Sequence, residues 1–164
     1  MNTNNNNEIN IRRMMRNDID AVLALDRKIG GGKGTINYRD LVEIDPGGPL
    51  DFSCVCESKG IMIGFILVRI SYFGIPLTAT CVINSIATDP DYEKHGIGSA
   101  LVNNLLDRCY AEGVPKARAP IDETNADLLR FYQRLSFKRT NIVDYDFEVV
   151  SDYLTSKMAL DNRK

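Results

Sequence analysis

The chain has no block of basic residues and no apolar stretch long enough for a bilayer, and each shortage removes a class of function. Twenty basic side chains against twenty-two acidic ones leave a formal charge of -2. Without a cationic stripe to track a phosphate backbone, sequence-independent binding to nucleic acid is not expected. The longest apolar stretches, such as residues 61–68, are interrupted by glycine and fall far short of the roughly 20 residues of a membrane helix. Cys54, Cys56, Cys81 and Cys109 stand at spacings that match neither a zinc site nor a redox pair. A domain of 164 residues buries about two thirds of its unfolded surface, so it needs no disulfide or metal staple. The thiols are therefore expected to be reduced and mostly buried, the protein cytoplasmic, and no metal is expected. The asparagine-rich residues 1–7 lack the charged and apolar regions of a secretory signal and read as a disordered tail.

What is present is an ordinary globular composition, 44% hydrophobic and 26% charged, expected to form one domain over residues 8–155 followed by a tail over residues 156–164. Residues 8–13 alternate apolar and polar positions as a strand does, and Asn17 or Asp18 would cap the helix whose stripe is Ile19, Val22, Leu23 and Leu25. Gly30, Gly31, Gly32 and Gly34 break that helix, and a second short one fits residues 36–44. Residues 52–57 and 61–70 are β-rich runs joined by Ser58, Lys59 and Gly60, which predicts an antiparallel hairpin. Residues 80–88 follow as a third run. From Ile97, the positions Leu101, Val102, Leu105, Leu106 and Cys109 recur at helical spacing until Gly113. Residues 114–121 predict a short strand, Thr124 with Asp127 a capping box for a helix through Leu135, and Phe137 with residues 141–150 the closing strands. This order predicts an α+β, three-layer fold: a mixed, largely antiparallel sheet of about seven strands flanked by about four helices.

The chemistry concentrates in the segment Ile86-Ala87-Thr88-Asp89-Pro90-Asp91-Tyr92-Glu93-Lys94-His95-Gly96-Ile97-Gly98-Ser99. It reads as a strand, a tight turn and a helix start. Gly96 and Gly98 remove side-chain bulk where backbone N–H groups must approach a ligand, and the unsatisfied donors of a helix N-terminus favour an anion such as a diphosphate. The plain alternative is that these glycines only turn the chain or let a helix approach the sheet. A Rossmann site would need a third glycine where Leu101 stands. Gly32-Lys33-Gly34-Thr35 lacks the Lys-Ser/Thr pair of a P-loop and follows a helix.

A second segment runs Asn125-Ala126-Asp127-Leu128-Leu129-Arg130-Phe131-Tyr132-Gln133-Arg134-Leu135-Ser136-Phe137. With this pair of motifs in register the chain resembles the GNAT superfamily of acyl-CoA-dependent N-acyltransferases, which joins a proline turn and a glycine-containing phosphate loop to a downstream Asn, a Phe-Tyr pair and a Gly-Phe step. The element order agrees along nearly the whole domain. Two positions depart from the family: Glu93 stands where Arg or Gln is usual, and Ser136 replaces the glycine before the final Phe.

The resemblance implies N-acetyl transfer from acetyl-CoA to a primary amine by direct attack on the thioester. Its alternative is a non-catalytic acyl-CoA sensor on the same fold. The backbone N–H groups of Lys94, His95, Gly96, Ile97, Gly98 and Ser99 would hold the diphosphate, with Lys94 and His95 supplying charge in place of the usual Arg. The strand at Ile86, Ala87 and Thr88 would pair with the pantetheine arm, and donors near Ala87 would stabilise the oxyanion; a fully paired central strand is the plain alternative. Tyr132 would be the general acid for the departing thiolate, since a phenol titrates near a thiol; otherwise it is a core tyrosine on the face of Leu128, Leu129 and Leu135. Asn125 either hydrogen-bonds the arm or caps the helix. No general base is evident: Asn84 and Ser85 occupy the stretch where some members carry a glutamate, leaving water or Glu57, whose plain alternative is a solvated strand-end carboxylate. Cys54 and Cys56 share a strand face, which small buried residues explain better than a nucleophile or metal site. Gly30 to Gly34 form either a lid on the acceptor side or a helix terminator. The acceptor is an amine, on a protein N-terminus or lysine or on a small molecule. A homodimer through the C-terminal strands, as in similar folds, stays open.

Overall fold

Lys59 and Gly60 both hold positive φ, 52° and 77°, the two left-handed residues that a two-residue type I′ turn requires. They close the first hairpin of a computed structural model that describes residues 9–37, 39, 41 and 52–144. Strand β1 (Ile9–Arg13) pairs antiparallel with β2 (Cys54–Ser58), β2 with β3 (Ile61–Phe73), and β3 with β4 (Thr78–Thr88), whereas β5 (Lys116–Arg118) joins β4 in parallel. The sheet order is β1-β2-β3-β4-β5, mixed and largely antiparallel as expected. Three α-helices lie wholly within described residues: α1 (Ile19–Ile29), α2 (Ile97–Ala111) and α3 (Ala126–Arg134); Arg39 and Leu41 are helical as well. Helix α2 makes the long crossover that a parallel pair demands. No helix among the described residues is long and apolar enough to cross a membrane. The chain divides into two compact units, Met1–Ala126 and Asp127–Lys164. The sheet, α1 and α2 belong to the first.

Strand alternation sends successive side chains to opposite faces, and one helix covers each. Val55, Phe65 and Leu67 pack with Ile19, Val22 and Leu25 of α1 in one buried cluster. The other face carries Gly64, where an added Cβ would lie 3.0 Å from Ile97 Cγ2 and 3.4 Å from Leu101 Cδ1 of α2. The bare glycine thus lets the first turn of α2 settle onto the sheet. Ile97, Leu101, Val102, Leu105 and Cys109 are the buried stripe of that helix, each large side chain contributing about 1.5–3 kcal/mol on burial. Gly113, at φ 69°, ends it: its N–H reaches Tyr110 O and the N–H of Val114 reaches Cys109 O, the two bonds of a Schellman cap. All four cysteines are buried and outside any disulfide.

Several expectations change. Asp18 does not cap α1 with its side chain; its carboxylate turns back to Arg12 and to the Met15 N–H, because a buried carboxylate gains more from a guanidinium than from a helix amide. The capping box of Thr124 and Asp127 does not form: Thr124 donates its hydroxyl to Asp122, and Asp127 pairs with Arg130. The strand at residues 114–121 shrinks to Lys116–Arg118, the only part in register with β4. Phe137 is not in a strand, and neither are residues 141–144. The Phe137 amide is spent on Tyr132 O at 3.1 Å and the Ser136 amide on Gln133 O at 3.0 Å, closing a second Schellman cap. Ser136 takes φ 66° there, the conformation that glycine adopts without cost, so the family's usual glycine and this serine do the same geometric work. The sheet therefore has five strands among the described residues where about seven are expected. Residues 145–150 of the expected last strand, and most of the short helix at 36–44, lie outside the described residues.

Arg12 knits the first unit together. Its guanidinium donates to both oxygens of Asp18 at 2.8 Å and to Glu57 Oε1 at 2.5 Å. Asp18 is buried, and the Arg12 bond holds its carboxyl below the ordinary carboxylate range despite the opposing effect of burial. A depressed folded pKa contributes stability that is present above the unfolded value near 3.9 and lost as pH falls through the folded one. Arg12→Met is expected to lower stability by about 2 kcal/mol at pH 7, less than the 3–5 kcal/mol for a fully buried pair because Arg12 is 34% exposed. Urea unfolding from pH 7 to pH 2 checks this: the variant should show a shallower acid loss than the wild type, and parallel curves would refute the assignment.

Candidate active site

The end of β4 is where the fold opens. Beyond Val82, which pairs with Arg118, no described strand lies on the side of β4 away from β3. Ile86, Ala87 and Thr88 keep one paired edge, opposite Ile66, Phe65 and Gly64, and their other edge is unpaired among the described residues. The pairing shifts register between Leu67 and Val68, which oppose Ser85 and Ile83. Asn84 is therefore the extra residue of a β-bulge, a feature that bends the strand and changes which groups face the opening. Among the described residues, the alternative of a fully paired central strand does not hold for residues 86–88.

After Thr88 the chain turns sharply. The Asp89 N–H bonds Ile63 O at 2.9 Å, and its carboxylate caps the 3-10 turn at Pro90–Tyr92 by accepting from the Asp91 N–H. Burial acts to raise the Asp89 carboxyl, but Lys28 and the Asp91 amide together outweigh it and hold the pKa below the ordinary range. The chain then takes two left-handed steps, Lys94 at φ 64° and Gly96 at φ 76°. Alternation of right- and left-handed residues is the backbone pattern from which anion-binding nests of N–H groups are built.

The first helical bond of α2 is Ala100 N–H to Gly96 O at 2.9 Å, and Gly96 caps without a side chain. The amides of residues 94–99 consequently find no acceptor among the described residues. Nothing lies within 4 Å of a Cβ built on Gly96. A run of open donors at the positive end of a 15-residue helix fits a diphosphate group, and so it fits the coenzyme that the family resemblance implies.

Around the loop, the His95 ring places Nδ1 at 3.1 Å from Tyr92 O and 2.9 Å from Glu93 O. Carbonyl oxygens only accept, so Nδ1 carries the proton and Nε2 is the nitrogen left for a ligand. Glu93, Lys94 and His95 are exposed. Glu57 is no solvated carboxylate: its side chain is 20% exposed and is bound by Arg12. Asn84 and Ser85 hold no titratable group, so the described residues supply no carboxylate on β4 for that role.

Asn125 lies exposed just ahead of α3, its N–H on Asp122 O at 2.9 Å. Tyr132 belongs to the second unit, where its ring meets Phe131 at 5.0 Å and Phe137 at 5.1 Å, both edge-on. It is 3% exposed, and burial pushes its hydroxyl up to about 12. The phenol therefore stays protonated throughout the neutral range. Sequence reasoning missed three contributors to the loop: Gly64, which seats α2; Lys28, which binds Asp89 and Asp91; and the bulge at Asn84. A glycine inside an apolar strand was the one local signal for the first. The other two depend on partners far away in sequence.

Comparison with known proteins bears on the fold and the family. The chain is 26% identical over 144 residues to an uncharacterized N-acetyltransferase of Methanocaldococcus jannaschii, covering 81% of this chain and 62% of the relative. It is 34% identical over 58 residues to the [ribosomal protein bS18]-alanine N-acetyltransferase of Escherichia coli K12, covering 35% and 39%. The chain thus spans less than two thirds of either relative. Among solved structures, the aminoglycoside N-acetyltransferase AAC(6')-Iy in complex with CoA superposes with a TM-score of 0.74 at 17% identity, over 90% of this chain and 99% of that one. The ribosomal-protein-S18-alanine N-acetyltransferase of Escherichia coli superposes with a TM-score of 0.64 at 19% identity, over 82% and 80%. These two likenesses establish the fold. The sequence profile of the acetyltransferase (GNAT) family matches residues 25–137, a span that contains the open amide loop and both Schellman-capped helices, and the chain belongs to that family.

Proposed function

We propose that this protein is an N-acetyltransferase that moves an acetyl group from acetyl-CoA to a primary amine by direct attack. The observation that carries the reading is that, among the described residues, the amides of residues 94–99 are unpaired and stand beside an unpaired edge of β4. In this reading the loop amides of Lys94, His95, Gly96, Ile97, Gly98 and Ser99 hold the diphosphate, and the edge at Ile86, Ala87 and Thr88 receives the amide-bearing arm by strand addition. Acetyl-CoA supplies an activated thioester, so that positioning an unprotonated amine within reach accounts for much of the acceleration. Donors near Ala87 stabilise the oxyanion. Asn125 contributes a polar contact to the arm.

Tyr132 stabilises the sulfur as it leaves. A phenol near 12 does not hand its proton outright to a thiolate of ordinary pKa about 8.5. It acts as a hydrogen-bond donor whose bond strengthens as charge builds on sulfur; the C–S bond breaks as the C–N bond of the amide forms, coenzyme A leaves as the thiolate, and the phenol keeps its own proton. With Glu57 bound to Arg12, the amine loses its proton to water. The reading treats residues 8–155 as one functional domain, since the matched segment 25–137 runs through both units. Four buried thiols outside any disulfide suit the cytoplasm.

The acceptor is an amine on a protein N-terminus or lysine, or on a small molecule. Relatives are named for both kinds, an alanine of ribosomal protein bS18 and aminoglycosides. A thiol-release assay with acetyl-CoA over N-terminal peptides, lysine peptides, polyamines and aminoglycosides tests the proposal: turnover with at least one class is expected. The engagement of Glu57 by Arg12 favours a second reading, a coenzyme sensor without transfer. Coenzyme A binding with no thiol release across the whole panel would establish that reading in place of the first.

A further inference from the structure

The last turns of α1 are tied to two separate loops by two charged side chains. Asp26 is buried and organises the glycine-rich segment that follows the helix: its Oδ2 accepts the N–H of Thr35 at 2.6 Å and of Ile36 at 2.9 Å, and its Oδ1 accepts the Thr35 hydroxyl at 2.7 Å. Two residues later, Lys28 reaches across to the start of the phosphate turn. Its Nζ donates to Asp89 Oδ1 at 2.7 Å and Oδ2 at 2.8 Å, and to Asp91 Oδ2 at 2.7 Å.

Asp89 is the joint between β4 and the open amide loop. Its backbone N–H is fixed to Ile63 O and its carboxylate to the Asp91 N–H. The Asp89 side chain is 11% exposed, whereas Lys28 is 47% exposed. Removing the cation would leave a nearly buried carboxylate whose remaining hydrogen bond in the turn is to the Asp91 N–H, and such a group relieves itself by swinging toward water. That swing would carry Asp91, Tyr92 and Glu93 with it, the residues immediately ahead of the loop amides. The hydrogen bonds of Lys28 go to Asp89 and Asp91 and not to residues 94–99.

We propose that Lys28 is a positioning residue for the coenzyme loop, acting through Asp89 to hold the loop amides in the arrangement that receives the diphosphate. The inference rests on the acetyl-CoA reading above and adds to it a residue outside both sequence motifs. It also separates two roles on one helix turn. Lys28 sets the coenzyme loop, and Asp26, whose side-chain hydrogen bonds go to Thr35 and Ile36, sets the glycine-rich segment.

The experiment measures coenzyme A affinity by calorimetry, steady-state KM and kcat for acetyl-CoA, and Tm, for the wild type and the full-length variants Lys28→Met, Lys28→Arg and Asp26→Asn. Lys28→Met is expected to raise Kd and KM for the coenzyme about ten-fold with kcat at saturation within about two-fold, and Lys28→Arg, which keeps the cation, to recover most of the loss. Asp26→Asn is expected to lower Tm while leaving coenzyme Kd near the wild-type value. Lys28→Met with unchanged Kd overturns the proposal. Equal Kd losses in Lys28→Met and Asp26→Asn that follow their Tm also overturn it, because that pattern marks general loosening. A wild type that binds no coenzyme A overturns the acetyl-CoA reading itself, and the role of Lys28 with it, before any variant is compared.

Discussion

Gly96→Asp is expected to weaken coenzyme A binding by about 100-fold or more, while Gly96→Asn weakens it by less than about ten-fold. The two variants share a backbone demand. Residue 96 sits at φ 76°, and Asn and Asp are the non-glycine residues that tolerate the left-handed region best, at a cost of order 1 kcal/mol. They also share steric freedom, because nothing lies within 4 Å of a Cβ at that position. What differs is one negative charge placed among the amides proposed to receive a diphosphate. Two unit charges 4 Å apart interact by about 4 kcal/mol at an effective dielectric constant near 20, and solvent screening leaves a penalty near 2.8 kcal/mol, which is two decades of affinity. Titration calorimetry at constant ionic strength measures both Kd values, and Tm reports whether either variant is damaged in fold. Equal weakening by the two variants would show that the loop does not meet the anionic part of the coenzyme.

Tyr132→Phe should lower kcat ten-fold or more with KM for acetyl-CoA within about two-fold, the pattern of a contact made mainly in the transition state. The substitution keeps the ring that Phe131 and Phe137 hold edge-on, so Tm should stay close to the wild type. The pH dependence makes the assignment specific. Burial raises the hydroxyl to about 12, so the proton is bound more tightly in the folded state than in the unfolded one. The stability it contributes is fully present below about pH 10 and is lost as pH rises from there through about 12. Two consequences follow: the loss in kcat is the same factor at every pH between 7 and 9, and the alkaline decline in stability between pH 10 and 12 is smaller in Tyr132→Phe. A kcat equal to the wild type across that range would leave Tyr132 as a core tyrosine, the plain alternative that its position among Leu128, Leu129 and Leu135 allows.

Much of the fold could be read along the chain because its signals are local. The Lys59-Gly60 turn, the stripe from Ile97 to Cys109 and the stop at Gly113 each arise from backbone preferences within a few residues, and each stands in the structure. The errors came where two local solutions compete and burial chooses. Asp18 looks like a helix cap, yet the guanidinium of Arg12 takes it. Phe137 looks like the start of a strand, yet its amide ends α3. Thr124 and Asp127 look like a capping box, yet each is engaged nearer at hand.

The candidate site divides the same way. Residues 86–99 by themselves determined a strand, a turn and a helix start with donors left over, because an amide without an acceptor at a helix N-terminus is a property of a continuous backbone segment. Only the tertiary structure decided that the β4 edge stands open beyond Val82 among the described residues, that Asn84 is a bulge, that Glu57 is held by Arg12 across 45 positions, and that Lys28 reaches Asp89 across 61. Strand register and helix placement bring those groups together, and both are set by which apolar faces bury best over the whole domain. No short window of sequence contains that sum.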